Sequence, residues 1–120
     1  MIQRILCIGA GYVGGPTMAV IAKHCPDVQV VVADINAERV AAWQSGEPPI
    51  FEPGLRDVVR ASLGRNLRFT GDVEREIAQA VRRVEEVSPP KKVKAYLWTG
   101  DCDPPPEAVA MVEKLGLPNL

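Results

Sequence analysis

Apolar residues fall along this chain in two alternating rhythms. Short unbroken runs come first: Ile5-Leu6-Cys7-Ile8, then Val30-Val31-Val32-Ala33, and later Leu67 with Phe69. Runs of this length, rich in β-branched residues, are what strands buried on both faces look like. They predict strands over residues 2–8, 29–33 and 67–69, and a fourth over 93–98, where Val93, Ala95 and Leu97 alternate with Lys94, Tyr96 and Trp98. Between the runs, apolar residues recur every three or four positions, the spacing of one helix face. Helices are expected over 12–24 (Val13, Met18, Val20, Ile21), 36–44 (Val40, Ala41, Trp43) and 53–63 (Leu55, Val58, Val59, Leu63). A longer one over 72–87 places Val73, Ile77, Ala80, Val81, Val84 and Val87 on one side, with Glu and Arg on a solvated other side. The last, capped by Asp103 with Pro104 at its first position, carries Val109, Val112 and Leu115 and stops at Gly116. Asn36 and Asp72 stand where N-caps belong, and Pro16 lies near a helix start, where a missing N–H is tolerated.

Strands alternating with helices imply a parallel sheet with right-handed crossovers. The expected architecture is α/β: a Rossmann-like open parallel sheet of four strands, order 3-2-1-4, with helices on both faces. The whole chain, 1–120, reads as a single domain. A ligand crevice would lie at the switch point, beyond the C-terminal ends of strands one and four.

The first strand runs straight into Gly9-Ala10-Gly11-Tyr12-Val13-Gly14, and Asp34 closes the second strand twenty residues after Gly14. Strand, glycine turn, helix, strand and acid in this order form the dinucleotide-binding fingerprint. Gly9 permits the tight turn, Gly11 lets a pyrophosphate approach the backbone, and Gly14 lets the helix pack closely. Free N–H groups at the helix start favour negative charge. Asp34 can accept from both hydroxyls of an adenosine ribose, and its charge would repel a 2′-phosphate, which favours NAD over NADP. Arg39 tempers that preference, because an arginine there could receive such a phosphate.

Composition narrows the functional classes. Net charge is −1 with no basic tract, so nucleic-acid binding and anionic membrane binding lack electrostatic support. No apolar stretch approaches the length of a membrane span, and Met1-Ile2-Gln3-Arg4 enters a strand rather than a signal peptide. Three cysteines without a C-x-x-C spacing suit a reduced, cytoplasmic setting. Cys7 reads as a small buried apolar residue, His24 as a complement to a helix dipole, and Trp43 and Trp98 as packing residues. Cys102 sits near the expected crevice, but Asp101 and Asp103 oppose a thiolate there, so no catalytic residue and no metal site is assigned.

Several longer strings resemble UDP-glucose 6-dehydrogenases. They are Ile5 through Thr17, Val31-Val32-Ala33-Asp34-Ile35-Asn36, Arg39, Ala42-Trp43, Pro49-Ile50-Phe51-Glu52-Pro53-Gly54-Leu55, Asn66-Leu67-Arg68-Phe69 and Asp72-Val73. The resemblance covers about residues 2–78. It implies NAD as cofactor, with Gly11, Tyr12, Val13, Asp34 and Arg39 as its contacts; Gly9 and Gly14 complete the cofactor-binding set as the glycines that shape the turn. Beyond Ala80 the family's Val-Asn-Thr-Pro-Thr-like loop is not found; Leu97-Trp98-Thr99-Gly100-Asp101 stands at the corresponding strand end, where Thr99 is the candidate replacement contact. Segments that the resemblance would supply for catalysis and substrate binding are also not found, so weakened NAD binding without turnover is expected. The change in character suggests an engineered chimera joined near residues 74–82, with 1–80 dehydrogenase-like and 81–120 of other origin. A scaffold without ligand is the alternative function, and the bare sheet edges at strands three and four offer a route to a homodimer.

Overall fold

A computed structural model of the chain describes residues 1–94 and 106–118. It divides into two compact units, Met1–Val73 and Glu74–Leu120. The first holds strands β1 (Arg4–Ile8), β2 (Gln29–Ala33) and β3 (Leu67–Thr70) and helices α1 (Gly14–His24), α2 (Ala37–Gln44) and α3 (Leu55–Ser62). Helix α4 (Val73–Val87) starts at the boundary, and α5 (Pro106–Lys114) lies in the second unit.

The sheet is parallel throughout, in the order β1-β2-β3. Arg4 to Ile8 pair with Gln29 to Ala33, and Val30 to Ala33 pair with Leu67 to Thr70. Among the described residues there are three strands. The expected fourth strand falls mainly on residues 95–98, outside them, while Val93 and Lys94 are not in a strand.

One core holds the first unit together. Val30 and Val32 of β2 and Leu67 and Phe69 of β3 face Ala19 and Ala22 of α1, Val40 and Trp43 of α2, and Leu55 and Val59 of α3. All three helices of this unit thus draw on one face of the sheet. Helix α1 corrects the sequence reading. Its buried positions are Gly15, Ala19 and Ala22, whereas Val13 and Val20 are exposed and Met18 and Ile21 only partly covered. Small residues at i, i+4 and i+7 let the helix approach the sheet more closely than bulky ones would. In α2, Val40 and Trp43 are buried but Ala41 faces solvent. In α4, Val84 and Val87 are exposed, and Glu76, assigned by the sequence to a solvated face, is only 1% exposed with Arg75 Nη2 3.1 Å from its Oε1.

Local signals explain the element ends. The Asn36 side chain accepts from the Arg39 N–H at 2.9 Å, a true N-cap. Gly54 occupies the N-cap of α3 with φ 82°, a left-handed conformation that Cβ-bearing residues rarely adopt. The β3 edge is less bare than its sequence suggests. On the side away from β2, the carbonyls of Leu67 and Phe69 accept from Gly64 N–H (3.3 Å) and Gln44 Nε2 (2.9 Å).

Candidate nucleotide-binding turn

The parallel ladder delivers two loops to the same end of the sheet. β1 ends at Ile8 and β2 at Ala33, and the two strands are in register at those residues. The Gly9 N–H donates to the Ala33 carbonyl at 2.7 Å, and the Asp34 N–H to the Thr70 carbonyl at 3.0 Å. The glycine turn and the acid therefore leave the sheet side by side.

Gly9 has φ 106°, so the turn out of β1 needs a residue without Cβ. At Gly14 the requirement is steric: a Cβ would collide with the Gly9 carbonyl oxygen and lie 3.1 Å from Cys7 Sγ. At Gly11 a Cβ would meet nothing within 4 Å, so its backbone faces open space. Tyr12 and Val13 carry exposed side chains at the head of α1. That helix start has no side-chain cap at Val13 and no acidic residue in its first turn. Its positive end is left for an anion.

Asp34 is 6% exposed and tied to both loops. Oδ2 accepts from the Ala10 N–H at 2.8 Å and from Arg39 Nη1 at 3.1 Å; Oδ1 accepts from the Asn36 N–H at 2.8 Å. A carboxylate has about four acceptor sites. One remains here, and the Arg39 side chain, 43% exposed, is positioned to yield its share to an incoming hydroxyl. The residues present therefore fit a dinucleotide: open space before the turn, an uncapped helix start and a fixed acid beside it.

The remaining candidates are placed as follows. Thr99, Trp98, Asp101 and Cys102 lie outside the described residues. Cys7 is half-buried under the turn, and burial pushes its thiol above the usual range, which suits packing and disfavours a nucleophile. His24 lies in the last turn of α1 with Lys23, as a dipole complement would. Among the described residues no group of three or more His, Cys, Asp or Glu could hold a metal, and no helix is long and apolar enough to cross a membrane.

Two supports escaped the sequence reading. Gly15 packs its backbone against the Trp43 indole, where a Cβ would collide with the ring. Its place in a Gly14-Gly15 pair was the available signal. Asn66 is 6% exposed, and its Nδ2 donates to the carbonyls of Ala22 (2.8 Å), Cys25 (3.1 Å) and Val28 (3.0 Å). It ties the end of α1 and the loop into β2 to the start of β3.

Fold and turn together define a dinucleotide-binding α/β domain of Rossmann type. Comparison with known proteins makes the assignment specific. Residues 3–103 match the family model described as "UDP-glucose/GDP-mannose dehydrogenase family, NAD binding domain", and the chain belongs to that family. It is 58% identical over 91 residues to UDP-glucose 6-dehydrogenase 1 of Oryza sativa subsp. japonica, covering 76% of this chain and 19% of the relative. UDP-glucose 6-dehydrogenase 2 of Arabidopsis thaliana is 54% identical over 91 residues, with the same coverages of 76% and 19%. Among solved structures, a UDP-glucose dehydrogenase from Pyrobaculum islandicum aligns with TM-score 0.60 at 24% identity, covering 95% of this chain and 24% of that one. That likeness shows the fold. The UDP-N-acetyl-mannosamine dehydrogenase Cap5O from S. aureus aligns with TM-score 0.52 at 35% identity, covering 57% of this chain and 16% of that one.

The chain spans about 19% of the length of the curated relatives it matches. The family match continues to residue 103, past the limit of 78 read from the sequence and across the suggested join at 74–82. NAD is the cofactor of the matched domain.

Proposed function

We propose that this chain holds NAD across the Gly9–Gly14 turn, for hydride transfer from a nucleotide sugar of the kind its relatives' names describe. The backbone of Gly11, Tyr12 and Val13 would receive the pyrophosphate, Gly9 and Gly14 would shape the turn, and Asp34 with Arg39 would take the adenosine ribose. Thr99 remains a candidate contact on the far side. The expected fourth strand would pair along the outer edge of β1, giving the order 3-2-1-4; the family match through residue 103 supports this. The three cysteines, with Cys7 and Cys25 free, suit a cytoplasmic setting.

One observation carries the reading. The Asp34 carboxylate is fastened to the turn itself through the Ala10 N–H, and the space before Gly11 is open. A carboxylate fixed there discriminates against a 2′-phosphate by charge. The ligand-free scaffold is not favoured, because the family match is to an NAD-binding domain. Calorimetric titration tests the proposal. NAD should bind saturably and more tightly than NADP, and Gly11→Val should abolish binding while leaving the fold intact, because its Cβ meets no protein atom. Absence of heat at millimolar NAD from a folded chain would overturn it.

A further inference from the structure

Ala10, the middle residue of the first Gly-x-Gly, is fully buried and held at both ends. Its N–H donates to Asp34 Oδ2 at 2.8 Å, and its carbonyl accepts from Trp43 Nε1 at 2.9 Å. That carbonyl shares a peptide plane with the Gly11 N–H. In a trans peptide the two point in opposite directions. Drawing the Ala10 oxygen toward the buried indole therefore turns the Gly11 N–H away from the core.

The indole is a rigid anchor. Trp43 is fully buried, stacks on Phe69 with centroids 4.9 Å apart and planes 9° from parallel, and lies against the backbone of Gly15. It cannot swing away without disturbing the core. Its single N–H has one partner, and losing it would strand the buried Ala10 carbonyl. Arg39, four residues earlier on the same helix, grips the Asp34 oxygen that holds the other end of Ala10. Residues four apart share a helix face, so one face of α2 reaches both peptide units that flank Ala10, the carbonyl directly and the N–H through Asp34.

We infer that Trp43 is a positioning residue for the dinucleotide turn: its indole N–H sets the peptide whose N–H meets the pyrophosphate. This rests on the NAD reading above. The decisive variant is Trp43→Phe, which keeps an aromatic ring against Phe69 and removes the donor. Binding of ADP-ribose, which carries a pyrophosphate, should weaken about tenfold, while binding of adenosine, which carries none, should stay within about twofold. Without ligand, amide hydrogen exchange at Ala10 and Gly15 should accelerate about tenfold while Val30 and Val32 in β2 keep their rates. Should Trp43→Phe fail to fold, a tryptophan analogue with sulfur in place of N–H at position 43 removes the donor at constant shape. Equal loss of both ligands, or unchanged exchange at Ala10 and Gly15, would overturn the inference. If the parent chain binds neither ligand, the NAD reading fails on its own, and the exchange rates still decide the role of Trp43.

Discussion

The two units are built on different principles. Met1–Val73 is closed by side chains that reach across long stretches of sequence to grip main-chain groups. Asp34 takes the Ala10 N–H, Trp43 takes the Ala10 carbonyl, Gln44 takes the Phe69 carbonyl, and Asn66 takes three carbonyls at once. Glu74–Leu120 buries Ile77, Ala108 and Val112, and its charged pairs include solvated ones: Arg83 with Glu86, Lys92 with Glu85, and Lys114 with Glu74. It also exposes Val84 and Val87 of α4 and Leu115 just past the end of α5. A buried polar lock stabilises one arrangement by making every alternative leave a polar group unpaired, whereas solvated ion pairs contribute little and specify less. The binding turn is therefore in the unit whose geometry is most tightly determined.

The sharpest way to break this contrast is Gly15→Val. The new Cβ would enter the Trp43 ring, which is stacked on Phe69 and has no room to retreat. Overpacking in a filled core costs about 1–3 kcal/mol, and a branched side chain against a rigid ring belongs at or above the upper end. Urea unfolding should show a loss of about 3 kcal/mol or more, or no cooperative transition. A variant as stable as the parent would mean that α1 is free to shift, and that the first unit is less rigid than its contacts imply.

Asn66→Leu comes next. It preserves bulk but strands the carbonyls of Ala22 and Val28, while the Cys25 carbonyl keeps the Val28 N–H at 3.0 Å. Leaving buried acceptors unsatisfied costs about 1–3 kcal/mol, so a loss near 2 kcal/mol is expected by chemical denaturation. By contrast, Val87→Ala in the second unit should stay within about 0.5 kcal/mol, because the side chain is already in solvent. If the two substitutions proved equal, the distinction between locked and solvated units would collapse.

These residues also mark what was legible in the sequence. Strand β2 runs over Gln29–Ala33 as its apolar run predicts, and Asn36 caps α2, because both depend on neighbours a few residues away. The glycine turn and Asp34 were legible for a related reason: their spacing encodes a local strand-turn-helix geometry. The buried face of α1 was misassigned because periodicity weights bulky residues, whereas this contact is made by Gly15, Ala19 and Ala22. Asn66 gave no signal, since its partners lie 38 to 44 residues away along the chain. Trp43 was legible as a packing residue, but the acceptor for its N–H depends on how β1 and α2 are brought together. Glu76 shows the converse limit, a charged residue buried on a helix whose polar face looked uniformly solvated.

The smallest expected effect concerns Glu85, a carboxylate of the second unit with two partners. Lys92 Nζ lies 2.9 Å from Oε2, and the Val93 N–H donates to Oε1 at 3.0 Å. The hydrogen bond from Lys92, followed by that from Val93, holds the carboxyl below its ordinary value of 4.5. A depressed folded value means that ionised Glu85 favours the native state above pH 4.5, and that this contribution fades as pH falls through the lower folded value. Glu85→Gln removes the titration. Local opening around residues 85–93, followed by amide exchange at Val93, should therefore respond to acid below pH 4.5 in the parent and much less in the variant. The Ala10 amide of the first unit serves as the reference, and its exchange should be the same in parent and variant at each pH. Equal acid response at Val93 in both proteins would show that the Glu85 contacts are too solvated to organise even their own turn. A matching change at Ala10 would show instead that the two units share one opening transition.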